Sequence, residues 1–389
     1  MPRLLPDFLK SYMTYTEDQE SPEVFHFWTA LSLMAGVLRM NVWMDRGFYE
    51  LFPNLYVIFI ADSGKLRKST AQEFGVDRLL RQVPDIKIYT ERMTMEGLLE
   101  QMDQISVHAG GRISKSGCVF IAAPELVMLL PGDEISRKVM AFLTSVYMGK
   151  RKYGYLTKGG GELKLEDVLI NFLGATAPDW LESIGEDVAK GGFLARIVFI
   201  TAEKRKRAIA WPTPNSTGIS LPALINDLTH ISQLKGEMKP TKELKEAFEK
   251  WYCIDTPVHD DPRIQGFRER QHDLALRISM LLSIARSDSL IVEMEHFDIA
   301  KSILHDVEDF IPKALTHVAT TAHSRDADRI LNQIKRRGGR MSYVAIQQAN
   351  SWKLSTTEVQ EIMKSLTERE DVHLEREGRK IIYVVGKKP

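Results

Sequence analysis

Residues 56–61 of this 389-residue chain, Tyr-Val-Ile-Phe-Ile-Ala, form an apolar run that leads through a six-residue loop into Lys68-Ser69-Thr70 and a helical stretch, 71–80. An unbroken apolar run of this length suits a strand covered on both faces, the environment of a parallel sheet. Strand, short loop, Lys-Ser and helix is the layout that holds a polyphosphate. Loop and first-turn N–H groups surround the phosphates, the ammonium reaches the outer ones, and the hydroxyl ligates Mg²⁺. In the register GxxxxGK[ST], Asp62 and Arg67 stand where glycines are usual, and only Gly64 lacks a side chain. An Asp repels phosphate unless it points away, whereas Arg67 adds a charge-assisted contact. The expected nucleotide-binding residues are Ser63, Gly64, Lys65, Arg67, Lys68, Ser69 and Thr70, with ATP and Mg²⁺ as ligands and Ser69 on the metal.

Lys+Arg and Asp+Glu each number 52, so no global field draws the chain to nucleic acid, and any such contact rests on local patches. The two cysteines, Cys118 and Cys253, fit neither a disulfide framework nor a zinc site. The most apolar stretch, 27–38, is too short to span a bilayer. A soluble cytoplasmic protein with no membrane partner is expected.

Four more apolar runs follow, at 86–89, 119–123, 168–173 and 196–201, separated by helical segments at 71–82, 94–106, 134–147 and 179–189. The alternation predicts an α/β fold with a five-stranded parallel sheet. From 221 to 318 the pattern is helical. Residues 326–385 read helix, helix, helix, hairpin, the outline of a winged helix, with a capping box at Ser355-Thr356-Thr357-Glu358. The expected domains are an N-terminal helical segment (1–45), a P-loop core (46–215), an all-helical lid (216–322) and a winged helix (323–389).

Several positions bear chemistry within this order. Glu125, after the strand 119–123, fits a carboxylate that polarises an attacking water and helps bind metal, although Pro124 stands where a second acid is usual. Asn171 and Thr176, on and after the strand 168–173, are both candidates to orient that water. Arg196, after Gly191-Gly192, fits an arginine finger reaching a neighbouring subunit. The Lys/Arg cluster 204–207 reads as a solvated face. Lys150, Arg151, Lys152 and Tyr153, with Lys158 at a Lys-Gly-Gly-Gly tip, read as a basic, aromatic hairpin suited to a nucleic-acid backbone.

Taken in order, PNLYVIFIADSGKLRKSTA, CVFIAAPELVMLL, INFLGATAPDWL, GGFLARIVFI and HDLALRISMLLSIAR resemble the primase-helicase-like P-loop ATPases of phages, plasmids and integrated elements, with an AAA+/RecA-like core. The resemblance covers about 21–315. It implies an ATP-dependent, DNA-associated motor of mobile-element replication, a helicase or helicase loader. It also implies a homo-oligomeric, hexameric ring, single-stranded DNA as partner, a replication partner protein, and Arg277 as a second nucleotide sensor. The sequence departs from the pattern at Asp62 and Pro124. The competing reading is a slow or non-hydrolysing nucleotide-gated scaffold that recruits DNA or protein.

Overall fold

The computed structural model describes residues 2–386 except 63, 65, 91, 93, 105, 108–112, 115, 158–160, 179, 181–191, 212–217, 255–261, 320–321, 352–353 and 378–379. The chain forms two compact units, Met1–Leu315 and Thr316–Pro389.

The first unit begins with helices α1 (Phe8–Tyr15) and α2 (Glu23–Leu38) and a short antiparallel pair, β1 (Val42–Asp45) and β2 (Glu50–Leu51). Strand β3 (Tyr56–Ile60) then enters α3 (Lys68–Arg78). The succeeding elements are β4 (Ile88–Tyr89), α4 (Met95–Asp103), β5 (Cys118–Ala123) and α5 (Glu134–Val146). After these come β6 (Lys150–Thr157), β7 (Gly161–Thr176) and β8 (Val198–Ile200). Helices α6 (Leu221–Ser232), α7 (Lys242–Tyr252), α8 (Gln271–Arg286) and α9 (Met294–Ala319) follow.

Five strands pair in parallel in the order β8-β3-β7-β5-β4. Side chains alternate across a strand, and the register sorts them into two faces. Val57 and Phe59 of β3 share a face with their partners Leu173 and Ala175 of β7, and with Asn171 and its partner Phe120 of β5. Helix α2 covers this face. Phe25 stacks on Phe59 at 4.7 Å, and a Cβ on Gly36 would lie 2.5 Å from the Phe120 ring, so only glycine permits the approach. On the other face Tyr56 donates to the Leu143 carbonyl of α5, at 3.0 Å. With both faces covered, every residue of β3 is buried. Burial on all sides also accounts for the apolar stretch 27–38, which is core helix. No helix among the described residues is long and apolar enough to cross a membrane.

The N-terminal residues are bonded into the later helices. Leu4 and Leu5 N–H donate to the buried Asp227 carboxylate of α6, and Arg3 donates to the Ala285 and Ile284 carbonyls at the end of α8. The expected N-terminal segment, core and lid therefore form one compact body.

The long strand β7 outruns the sheet. Its first residues pair antiparallel with β6, from Lys150↔Val168 to Thr157↔Gly161, making a two-stranded ribbon that leaves from the amino end of the sheet.

The second unit holds α10 (Ala322–Arg336), β9 (Arg340–Ser342), α11 (Tyr343–Asn350), α12 (Thr356–Glu368), β10 (Val372–Glu377) and β11 (Lys380–Val385). The strands form an antiparallel sheet in the order β9-β11-β10. Both halves of the capping box are made: Glu358 N donates to Ser355 Oγ (3.3 Å) and Ser355 N to Glu358 Oε2 (2.7 Å). Val359, Ile362, Met363 and Leu366 project from α12 at helical spacing into a core with Ile330, Ile334, Met341 and Ile346.

Candidate functional site

The strand order places the loop after β3 at a reversal of chain direction. Its neighbours β7 and β8 both come later in the chain, while the next strands, β4 and β5, lie beyond β7. Such a point leaves a crevice at the carboxyl ends of the strands. Four candidate residues gather there. Thr176 ends β7 opposite Ile60, and its carbonyl accepts from Ala61 N at 3.2 Å. Ser69 Oγ donates to the Pro124 carbonyl at 3.1 Å, joining the first turn of α3 to the end of β5. Glu125 is the next residue and is exposed. Helix α3 is pinned against β7 by Gln72, whose amide donates to the Leu173 carbonyl at 2.8 Å.

Lys68, the first residue of α3, is only 5 % exposed, and it makes no hydrogen bond or ion pair among the described residues. Burial lowers its pKa, an effect opposed by the nearby Glu125 and Asp62 carboxylates. Glu125 also acts on Glu73, whose pKa is raised by burial first and then by Asp77 and Glu125. The site thus holds a lysine with a buried stem at the positive end of a helix, its ammonium in the field of the Glu125 and Asp62 carboxylates. Gly64 has a left-handed φ of 70° and is exposed. Ser63 and Lys65 lie outside the described residues.

Arg67 turns away from this site. It adopts a left-handed φ of 54°, its Nε donates to Glu20 at 3.0 Å, and its carbonyl accepts from Ser21 Oγ at 2.9 Å. Glu20 also accepts from Ile209 N at 3.0 Å and meets Arg205 at 3.5 Å. The backbone bond from Ile209, followed by the arginines, holds its pKa below the usual carboxylate range. Lys206 pairs with Glu23 at 2.5 Å, and Arg207 pairs with Asp18. The Lys/Arg cluster read as a solvated face is exposed, and three of its residues, Arg205, Lys206 and Arg207, are ion-paired to acidic residues of 17–23. Two oppositely charged runs, 17–23 and 204–207, were the sequence signal for this, but nothing in one chain's linear order said that they meet.

Two candidates are corrected by where they lie. Asn171 is buried inside β7, well short of its carboxyl end. Its carbonyl oxygen accepts from Leu55 N (3.1 Å), and its amide donates to the Ala35 carbonyl (3.2 Å). Both groups are occupied in tying α2 and the β3 approach to the sheet. Arg277 is 0 % exposed and lies at the amino end of the strands. It donates to the carbonyls of Phe52 (2.7 Å) and Asn54 (3.0 Å) and to the Asn54 side chain, and lies 4.6 Å over the Tyr147 ring. It locks helix α8 to the β2–β3 connection.

Arg196 sits just before β8, also at the amino end. Its guanidinium donates to the Gly192 carbonyl at 2.6 Å and lies 5.8 Å from the centre of the Tyr147 ring. Burial lowers its pKa, and Arg270 adds to the effect. The strands' length separates it from Lys68 of its own chain.

In the ribbon, Arg151 is held by Glu50 (2.8 Å) and Asp167 (3.1 Å), and Tyr153 packs edge-on against Phe142 at 5.4 Å. Lys152 stands opposite Glu166 in the ladder. Lys150 is exposed, and Lys158 lies outside the described residues. Two of the ribbon's cations, Arg151 and Lys152, thus face carboxylates, on Glu50 of β2 and on Asp167 and Glu166 of the ribbon. No protein-family model matches the chain, and no curated protein matches it.

Proposed function

We propose that the first unit binds and hydrolyses ATP with Mg²⁺, and that the protein is a DNA-associated motor of mobile-element replication, a ring-forming helicase or helicase loader. The observation that carries the nucleotide reading is Lys68. Its stem is buried, and its ammonium makes no hydrogen bond or ion pair among the described residues while standing at a helix N-terminus, where the dipole disfavours a cation. An anionic ligand seated between the ammonium and that helix end would answer both charges. Ser69 donates its proton to Pro124, which leaves its oxygen lone pairs for a cation. With Glu125 it supplies the hard oxygen donors that Mg²⁺ takes. The ion would neutralise phosphate charge there. Glu125, exposed beside the ammonium, is the base for an attacking water, and Thr176 at the end of β7 is the remaining candidate to orient it.

The order of elements in the second unit supports a winged helix, but the exposed side of α12 carries Glu358, Glu361 and Glu368 against Lys364. Such a face suits a protein contact better than a phosphate backbone. The slow or non-hydrolysing scaffold has its own support. Pro124 occupies the place of a second acid, and Arg196 is engaged by its own chain at Gly192 and Tyr147.

Calorimetric binding and a turnover assay decide between them. Lys68→Ala should abolish measurable ATP binding. Glu125→Gln should keep binding and lose about 10²- to 10⁴-fold in turnover, the range for one general base. Tight ATP binding by Lys68→Ala would refute the site. Wild-type binding without turnover, with or without single-stranded DNA, would establish the scaffold.

A further inference from the structure

The flank of α3 turned away from the sheet borders a cavity of about 690 Å³, a volume within the range of about 300–1,000 Å³ usual for small-molecule sites. Arg67, Thr70, Phe74 and Arg78 line it at helical spacing, so the helix that presents Lys68 and Ser69 inward presents this stripe to the cavity. The opposite wall is the α1–α2 loop with Tyr15 and Glu20, and Ile209 and Ala210 close one side. Tyr15 and Phe74 lie stacked, with centroids 5.9 Å apart and planes 20° from parallel, and present an apolar, aromatic surface. Phe74 lies six residues beyond Lys68, so the aromatic wall and the start of the helix are about 1.7 turns apart, roughly 9 Å along the axis.

Arg67 stands between the two. A left-handed backbone at a residue other than glycine persists only where its surroundings hold it. Here the hold is double: Ser21 on the carbonyl and Glu20 on the guanidinium. The two contacts are separable. If the side chain leaves, the Ser21 bond still fixes the backbone, and Glu20 keeps Ile209 N and Arg205 as partners.

We propose that this cavity seats the nucleoside of a bound nucleoside triphosphate, its base against the Tyr15–Phe74 pair, and that Arg67 passes from Glu20 to the phosphate chain when the cavity fills. The inference rests on the phosphate site at Lys68 and adds to it both the seat of the base and a cation that changes partners. Filling the cavity then loosens one of the ion pairs that bind the α1–α2 loop to the segment after β8, which ties nucleotide occupancy to the N-terminal helices.

The test is isothermal titration of the full chain with two probes, Mg²⁺–ATP and Mg²⁺–tripolyphosphate. Wild type should bind ATP at least about tenfold more tightly, the equivalent of one base–aromatic stacking contact. Ala210→Trp, at an exposed position on the lip, should bring ATP down to the affinity of tripolyphosphate and leave tripolyphosphate unchanged. Glu20→Gln should tighten both probes, and that gain should vanish when Arg67→Ala is added. Equal affinity of wild type for the two probes overturns the nucleoside seat whether or not the tryptophan variant folds. Additive effects of Glu20→Gln and Arg67→Ala overturn the exchange of partners. Failure of both probes to bind wild type, or indifference of both to Lys68→Ala, instead strikes the phosphate site beneath the proposal.

Discussion

Among the described residues each end of the central sheet holds one cationic residue of very low exposure, and the two are treated in opposite ways. At the amino end Arg277 is sealed from solvent among three oxygen acceptors and an aromatic face, so its charge is answered by direct contacts with the protein. At the carboxyl end Lys68 is 5 % exposed and makes no hydrogen bond or ion pair among the described residues. The guanidinium is an internal brace whose forked donors match several carbonyls at once, whereas the ammonium has the through-space field of the Glu125 and Asp62 carboxylates. A sequence reading that assigns both to one ligand overlooks this difference.

The largest test of the contrast is stability without ligand. Arg277→Met should cost about 3–5 kcal/mol, since its buried acceptors lose their donor together. Lys68→Met should stay within about 1 kcal/mol of wild type, because it keeps the buried apolar stem and breaks no hydrogen bond or ion pair among the described residues. Urea unfolding of the two variants measures both. Equal losses would mean that Lys68 has a structural partner after all.

A second buried group sharpens the contrast through pH. His26 on α2 is 2 % exposed, and neither ring nitrogen has a hydrogen-bond partner, nor do the neighbouring Tyr12 and Thr29 hydroxyls. Burial first, and Lys206 second, push its pKa down from 6.5 to about 3. The unfolded chain therefore takes up this proton before the folded one does. Stability should fall as pH drops from 6.5 towards 3, by up to about 1.4 kcal/mol per pH unit, and not change further on this account below that window. His26→Leu should flatten the slope in denaturation measured from pH 7 to pH 4. An unchanged slope would show that His26 is solvated or paired when protonated.

The smallest effects concern the ribbon. Arg151 is about half exposed, so Arg151→Ala should cost less than about 1 kcal/mol and, being engaged by Glu50 and Asp167, should leave affinity for single-stranded DNA unaltered. Lys150→Ala should weaken that affinity and reduce its salt slope by about 1, as expected for one lost phosphate contact. Fluorescence anisotropy across a salt series reads both. The reverse ranking would make Arg151 the exchangeable cation.

The elements whose signal is local were legible in the sequence. The apolar run of β3 and the complete capping box of α12 depend on residues within a few positions of one another. The strand–loop–Lys-Ser–helix order likewise placed Lys68 at the start of α3. Legibility failed where the deciding partner is remote. Arg67 reads as a phosphate contact until Glu20, 47 residues earlier, takes its guanidinium. Asn171 reads as a polar residue at a strand end until β7 extends to Thr176 and α2 supplies the Ala35 carbonyl. Arg277 stands, by the resemblance, as a second nucleotide sensor until Phe52 and Asn54, more than 220 positions away, enclose it.

By itself, then, the sequence determined the alternation of strands and helices around the sheet and the order of elements in the second unit, because periodicity and capping act over a turn or two. Only the tertiary structure decided which polar side chains are satisfied by the protein and which are left for a ligand. A charge is answered by whatever lies within about 4 Å in space, and chain order does not encode that neighbourhood. The lysine-serine pair marked in the sequence became a candidate site through the sheet order, which set Pro124 and Glu125 beside it and, among the described residues, gave Lys68 no hydrogen-bond acceptor.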